Sequence, residues 1–272
     1  MKQKYQHKDY ERPIEIAEGI YWVGFYDSTS GLHCNPYLIL DQDEAVVIDG
    51  GSRPDFSTVM MKILQTGITP SSIKALIYHH YDPDLCGSVS NFENIINNPS
   101  LSIISDTDNH LFIRHYGLSS PLVSLESVNH QFRFSSGRTL NFINTPYSHS
   151  PGSFITFDTK TKVLFTSDLF GSYSTQWDLF LNLSPDCHTC KAYNQCTKSS
   201  YCPFPDIENF HNKTMTSVKA LKFAIERIQK IPTTIIAPQH GSVITGIEDI
   251  RLVTEGLISL KHVGIDAINS EI

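Results

Sequence analysis

The sequence predicts an α+β fold in which two β-sheets pack face to face with helices on the outside. Three observations carry this reading. Short runs rich in β-branched and aromatic residues alternate with amphipathic segments through the first two-thirds of the chain. From residue 122 to 168 the pattern is almost wholly β. Ionisable residues recur just past the carboxyl ends of the expected strands. Periodicity alone leaves other α/β layouts open. The 272 residues, 40% hydrophobic and 18% charged, describe an ordinary globular chain with ample core. No internal repeat and no linker divides it, so residues 1–272 are read as one domain.

Taken in order, "IYWVGFY" (20–26), "PYLIL" (36–40) and "AVVIDGG" (45–51) are expected strands. "RPDFSTVMMKILQTG" (53–67) fits a helix, with Pro54 near its first turn and Gly67 at its end. "IKALIYHH" (73–80) is a buried strand, "SVSNFENIINN" (88–98) a helix, "LSIISD" (101–106) a strand and "NHLFIRHYG" (109–117) a short helix. "PLVSLES", "HQFRFSS", "TLNFINTP", "SFITFD" and "KVLFTSD" complete the β-rich stretch, and "FDTKTKVLF" suggests a hairpin through Asp158–Lys162. Residues 172–212, polar and proline-containing, break the pattern and read as a Cys-rich insertion. Val218, Leu221, Ile225 and Ile228 share one helical face. "TTIIAPQHG" (233–241) is a last core strand and residues 247–263 a last helix.

The ionisable residues fall at strand ends: Asp49 after "VVI", His80, Asp82 and Asp84 after "LIYH", His149 after "FINTPYS", Asp168 after "LFTS" and His240 after "IIAPQ". Strand ends meet at one edge of a sheet, where α/β proteins build their sites. Imidazole and carboxylate groups around one cavity suit divalent or trivalent ions, and a carboxylate can bridge two of them. Any one histidine is more often an ordinary core or surface residue than a ligand, and His79, His110, His115, His130, His188, His211 and His262 are read that way. The joint pattern carries the expectation.

Of six cysteines, Cys34 and Cys86 stand alone, whereas Cys187, Cys190, Cys196 and Cys202 crowd into sixteen residues. In a reducing compartment such a group binds a metal or is redox-active more often than it forms disulfides. Cys202 is followed by Pro203, as in ferredoxin-type loops, so a 4Fe–4S cluster is one reading and a tetrahedral structural zinc the other. The net charge of −7, with 21 Lys and Arg, argues against a nucleic-acid partner. The polar start has no apolar signal core, and no run is long enough to cross a bilayer, so a cytoplasmic protein without a membrane partner is expected.

"HYDPDLCGS" (80–88) resembles the metallo-β-lactamase superfamily motif His-x-His-x-Asp-His-x-Gly, most closely the flavodiiron form His-x-Glu-x-Asp-His-x-Gly. "TPYSHSPGSFITFD" (145–158), "LFTSDLFGS" (164–172) and "IIAPQHGSVI" (235–244) resemble that family's later ligand segments in order, and "NPYLIL" and "VVIDGG" fit upstream. The resemblance implies an αββα four-layer sandwich and a di-iron centre. One iron would take His80, Asp82 and His149, the other Asp84 and His240, and Asp168 would bridge. Two departures stand out: Asp82 replaces a glutamate, and Leu85 replaces the second iron's histidine. Zinc or manganese are the alternative metals.

A flavodiiron protein carries a flavodoxin domain after this core; here about thirty residues follow His240. The resemblance therefore points to a stand-alone oxygen-binding di-iron protein. It would bind or reduce O2 or NO, sensing the gas or receiving electrons from a donor or signalling protein, with a homodimer as one expected state. A cluster at the four cysteines would replace the flavin as electron entry. The alternative is a metal-dependent hydrolase of a thioester, lactone or phosphodiester, with Asp84 orienting the nucleophile and Asp168 joining the ions. A third is a binding protein with a vestigial site.

Overall fold

The computed structural model describes residues 9–27, 29–190 and 201–268. The first half builds strands β1 (Ile14–Ala17), β2 (Ile20–Trp22), β3 (Tyr37–Asp41), β4 (Glu44–Ile48), β5 (Ile73–Ile77), β6 (Ser102–Ser105) and β7 (Leu122–Ser124). Between them lie helices α1 (Phe56–Gln65), α2 (Pro83–Cys86), α3 (Val89–Ile96) and α4 (Thr107–Ile113). The second half builds β8 (Gln131–Arg133), β9 (Thr139–Asn144), β10 (Phe154–Asp158), β11 (Val163–Phe165), β12 (Ile235–Ala237) and β13 (Ile244–Thr245). Its helices are α5 (Phe204–Thr214), α6 (Val218–Ile228), α7 (Ile247–Ser259) and α8 (Ile265–Ile268).

The strands form two mixed sheets. β1 to β7 lie side by side in chain order, antiparallel up to β4 and parallel from β4 to β7. The other sheet runs β13-β12-β11-β10-β9-β8, parallel only between β11 and β12. Strand alternation sorts the core into three layers of side chains. On β4, Val46 and Ile48 point between the sheets to meet Phe142, Phe154 and Phe165, while Ala45 and Val47 point to the helix side with Val59, Ile63 and Phe92. On the other sheet, Ile155, Leu164 and Ile236 face Leu221, Ile225, Val253 and Leu257 of α6 and α7. The result is the expected αββα four-layer sandwich.

Local chemistry sets the element ends. α1 begins only at Phe56, so Pro54 lies in the turn before it, and the chain leaves through Gly67 at φ +90°. The Asp106 carboxylate caps α4 by accepting from the Asp108 N–H at 3.0 Å, and Ser217 caps α6 by accepting from Ala220 at 3.2 Å. The expected strand 73–80 stops at Ile77, and His79 and His80 sit in the turn beyond it. α5 occupies part of the stretch read as an irregular insertion: Phe204, Ile207 and Phe210 recur on one face and are buried. Cys196 lies outside the described residues.

Candidate metal centre

Four loops leave the strand ends and converge. The β5–α2 loop carries His80 and Asp82 and reaches Asp84 on the first turn of α2. The loops after β9, β11 and β12 carry His149, Asp168 and His240. All six expected residues come together. His149 Nε2 lies 3.1 Å from Asp168 Oδ2 and 3.4 Å from Asp82 Oδ2, and its ring sits 4.6 Å from that of His80. His240 Nε2 lies 3.1 Å from Asp84 Oδ2 and 3.8 Å from Asp168 Oδ1. Asp168 stands between a His80/His149 group and a His240/Asp84 group, one carboxylate oxygen turned to each. Asp82 reaches His149 despite having one methylene fewer than glutamate.

The outer ring nitrogens are already engaged. His80 Nδ1 lies 3.0 Å from Ser167 Oγ, and His240 Nδ1–H donates to the His33 carbonyl at 3.1 Å. Such partners fix ring orientation and leave Nε2 aimed inward. Asn35 clamps the His240 loop, its side-chain amide donating to the Pro238 and Gly241 carbonyls at 3.0 and 2.9 Å while its oxygen accepts from Trp22. Gly241, at φ +80°, lets this loop close on the next: a Cβ there would sit 2.8 Å from the Ser172 backbone nitrogen. The Phe170 N–H donates to His211 Nε2 at 3.0 Å, and His211 Nδ1–H donates to Ile207 O at 2.7 Å. Burial pushes the His211 pKa down to about 4, so this neutral ring is a post for the Asp168 loop. Tyr147, Ser167 and Phe170 all take positive φ beside the site, backbone of the kind that concentrates where function demands it.

Electrostatics shows what the donor set would hold. Two imidazole nitrogens face carboxylate oxygens at 3.1 Å, an arrangement that needs a cation or a proton between them. Burial works against charge on His149 and His240. The hydrogen bond that His149 donates to Asp168, and those His240 shares with Asp84 and Cys34, outweigh burial and raise both pKa values. Burial likewise opposes charge on Asp168, yet His80, His149 and His240 hold it far below the usual carboxylate range. Asp168 Oδ1 is buried and makes no hydrogen bond. An oxygen of this kind, inside a set of imidazoles and carboxylates, fits a borderline metal ion. Side-chain exposure rises from 1% at His80 to 22% at His149, 30% at Asp84 and 35% at Asp82, so access is from the Asp82/Asp84 side.

Cys34 falls outside the sequence expectation, whereas Leu85 and His79 keep the non-ligand places read for them. Leu85 is fully buried in the apolar layer between the first sheet and its helices. Cys34 does not stand alone: it forms an isolated bridge to His240, and its Sγ joins Asp84 and His240 in a group whose donor atoms lie within 4.8 Å of one another. His79 turns away from the site. Its Nδ1 lies 2.6 Å from Asp49 Oδ2 and its Nε2 2.8 Å from Thr156 Oγ1, tying the two sheets together. Among the described residues, the groups tight enough for an ion are the two at the strand ends. Cys187, Cys190 and Cys202 instead line a small apolar cavity of about 40 Å3.

Fold and site together define a metallo-β-lactamase-type sandwich with paired donor groups at its strand ends. The family model described as ODP family beta lactamase matches residues 32–241. The chain therefore belongs to the ODP family. It is 22% identical to the flavo-diiron protein FprA2 of Clostridium acetobutylicum over 95% of this chain and 62% of that one. It is 26% identical to the anaerobic nitric oxide reductase flavorubredoxin of Vibrio vulnificus over 85% and 46%. The apo chemotaxis sensor ODP from T. denticola superposes with a TM-score of 0.70 at 22% identity, covering 93% of this chain and 100% of that one. Rubredoxin oxygen:oxidoreductase from Desulfovibrio gigas superposes with a TM-score of 0.74 at 18% identity, covering 91% and 61%. The chain spans 35%, 56% and 62% of the length of three curated relatives it matches. No helix among the described residues is long and apolar enough to cross a membrane.

Proposed function

We propose that this chain holds two iron ions at its strand ends and binds or reduces O2 or NO there. His80, Asp82 and His149 would hold one ion, Asp84 and His240 the other, with Asp168 between them. The observation that carries the reading is Asp168: buried, unpartnered at Oδ1, and turned with one oxygen toward each imidazole group. When bound, ferrous ions in such a set of histidines and carboxylates supply open positions for a diatomic gas and the electrons to reduce it. The chain's own residues supply the rest. Ser167 and the His33 carbonyl orient the imidazoles, and the Asp82/Asp84 edge admits a small ligand. Relatives described as a nitric oxide reductase, an oxygen oxidoreductase and a chemotaxis sensor support this class of ligand.

The chain either reports the gas to a signalling partner or draws electrons from a donor. For the second role we propose Cys187, Cys190, Cys196 and Cys202 as the site of an iron–sulfur cluster, with structural zinc as its rival. Their crowding into sixteen residues and the proline after Cys202 carry that reading. Anaerobic purification with iron, zinc and acid-labile sulfide counts, followed by visible spectra before and after air, tests both. Two irons per chain beyond any sulfide-bound iron, and new bands on exposure to air, are the expected result. A colourless protein holding zinc alone would overturn it and leave hydrolysis as the reading.

A further inference from the structure

We infer that Cys34 is a thiolate ligand to the ion held by Asp84 and His240, supplying a donor from a segment remote from Leu85. The inference rests on the two-ion reading and names a residue outside the expected set. Cys34 Sγ, an Asp84 oxygen and a His240 nitrogen all lie within 4.8 Å of one another. That spacing lets one ion touch all three at ordinary bond lengths of about 2.0–2.3 Å. Independently, Asp168 Oδ1 is buried, makes no hydrogen bond and lies 3.8 Å from His240 Nε2, aimed at the same space. With Cys34 the half-site has three donors within one ion's reach and Asp168 beside them, although Leu85 offers none.

Backbone structure fixes the thiol there. Cys34 and His240 pair across an isolated antiparallel bridge, and the Asn35 N–H donates to Gln239 O at 2.8 Å. On either side, the His33 carbonyl holds His240 Nδ1 and the Asn35 side chain holds Pro238 and Gly241. Donors whose support is packed and hydrogen-bonded meet an ion without reorganisation. Binding breaks the S–H bond and forms a sulfur–metal bond; the proton leaves to solvent and no electrons are transferred. A half-site of carboxylates and one imidazole accepts harder ions, whereas an added thiolate draws in iron, zinc or cobalt.

Cobalt(II) provides the test, because a thiolate ligand adds a near-ultraviolet charge-transfer band. The full chain, stripped of metal, is titrated with cobalt and compared with Cys34→Ser, Cys34→Ala and Cys34→Asp. Any band from the loop cysteines is common to all four proteins and cancels in the difference. We expect wild type to bind both site ions with the band. Cys34→Ser and Cys34→Ala should lose one sulfur's share of it and bind the second ion at least about tenfold more weakly, the least that losing even an outer partner costs. Cys34→Asp should recover the second ion without the sulfur band. Two cobalt ions bound equally well, with an unchanged band, in Cys34→Ser and Cys34→Ala would leave Cys34 a mere hydrogen-bond neighbour of His240. Failure of wild type to take up any cobalt at the strand ends would fell the two-ion reading itself.

Discussion

At the scale of single residues, His79 and His80 show how adjacent positions divide the labour. In the turn beyond β5, His80 rotates into the metal-donor group and His79 into the space between the sheets. His79 joins Asp49 at the end of β4 to Thr156 on β10, with its own backbone N–H also donated to Asp49 at 3.0 Å. All three side chains are buried. Removing the imidazole strands a buried carboxylate and a hydroxyl at once, a class of change that costs about 3 kcal/mol. His79→Ala should therefore lower urea-unfolding stability by about that amount. A loss below about 1 kcal/mol would show that the tie between the sheets contributes little.

The residue scale is also where sequence reading met its limits. His80, Asp82, Asp84, His149, Asp168 and His240 were legible because each follows a recognisable β run, and strand ends converge. Cys34 follows no strand; it precedes β3, and only the pairing of its segment with His240 brings it to the site. No spacing in "HCNPYLIL" announces that pairing. Leu85 was legible as a missing ligand, but its packing role among Tyr78, Val89 and Phe92 depends on tertiary structure.

At the scale of elements, strand content was readable and strand length was not. "IYWVGFY" is strand only over Ile20–Trp22, although the Val23 N–H still donates to Pro36 O at 3.0 Å beside the segment that carries Cys34 and Asn35. Hairpin chemistry holds the opposite edge of the second sheet. Arg138, at the start of β9, grips Asp158 at the end of β10 through Nε and Nη2 at 3.0 and 2.7 Å, both residues buried. Burial opposes ionisation of Asp158, but the Arg138 hydrogen bonds and those of Thr161 hold its pKa below the usual carboxylate value. A carboxylate depressed in the fold stabilises above its unfolded pKa of about 3.9, and the contribution is lost as pH falls through the folded value. Arg138→Met should cost about 3–5 kcal/mol at pH 7 by leaving the carboxylate unpaired. The gap to wild type should narrow on acidification toward pH 3. A gap in Tm that stays constant across that range would show that the pair is not what the substitution removes.

At the scale of the whole molecule, the donors bind residues 80–84, 149, 168 and 240 into one place, drawing on both sheets. The first sheet contributes the loop after β5; the second contributes those after β9, β11 and β12. An ion at that junction is therefore a staple between halves that otherwise meet mainly through apolar packing. Its binding free energy enters the folding equilibrium directly, since the unfolded chain scatters the donors. A free metal concentration 100-fold above Kd adds about 2.7 kcal/mol. For a chain of this length that corresponds to a rise in Tm of about 5–10 °C. Thermal unfolding of the stripped protein with and without ferrous ion, under anaerobic conditions, measures the shift. Asp168→Asn should abolish most of it, because the residue serves both groups, whereas Asp82→Asn, at the exposed edge, should remove only part. Equal shifts in wild type and Asp168→Asn would mean that iron stabilises the fold from somewhere other than the strand ends.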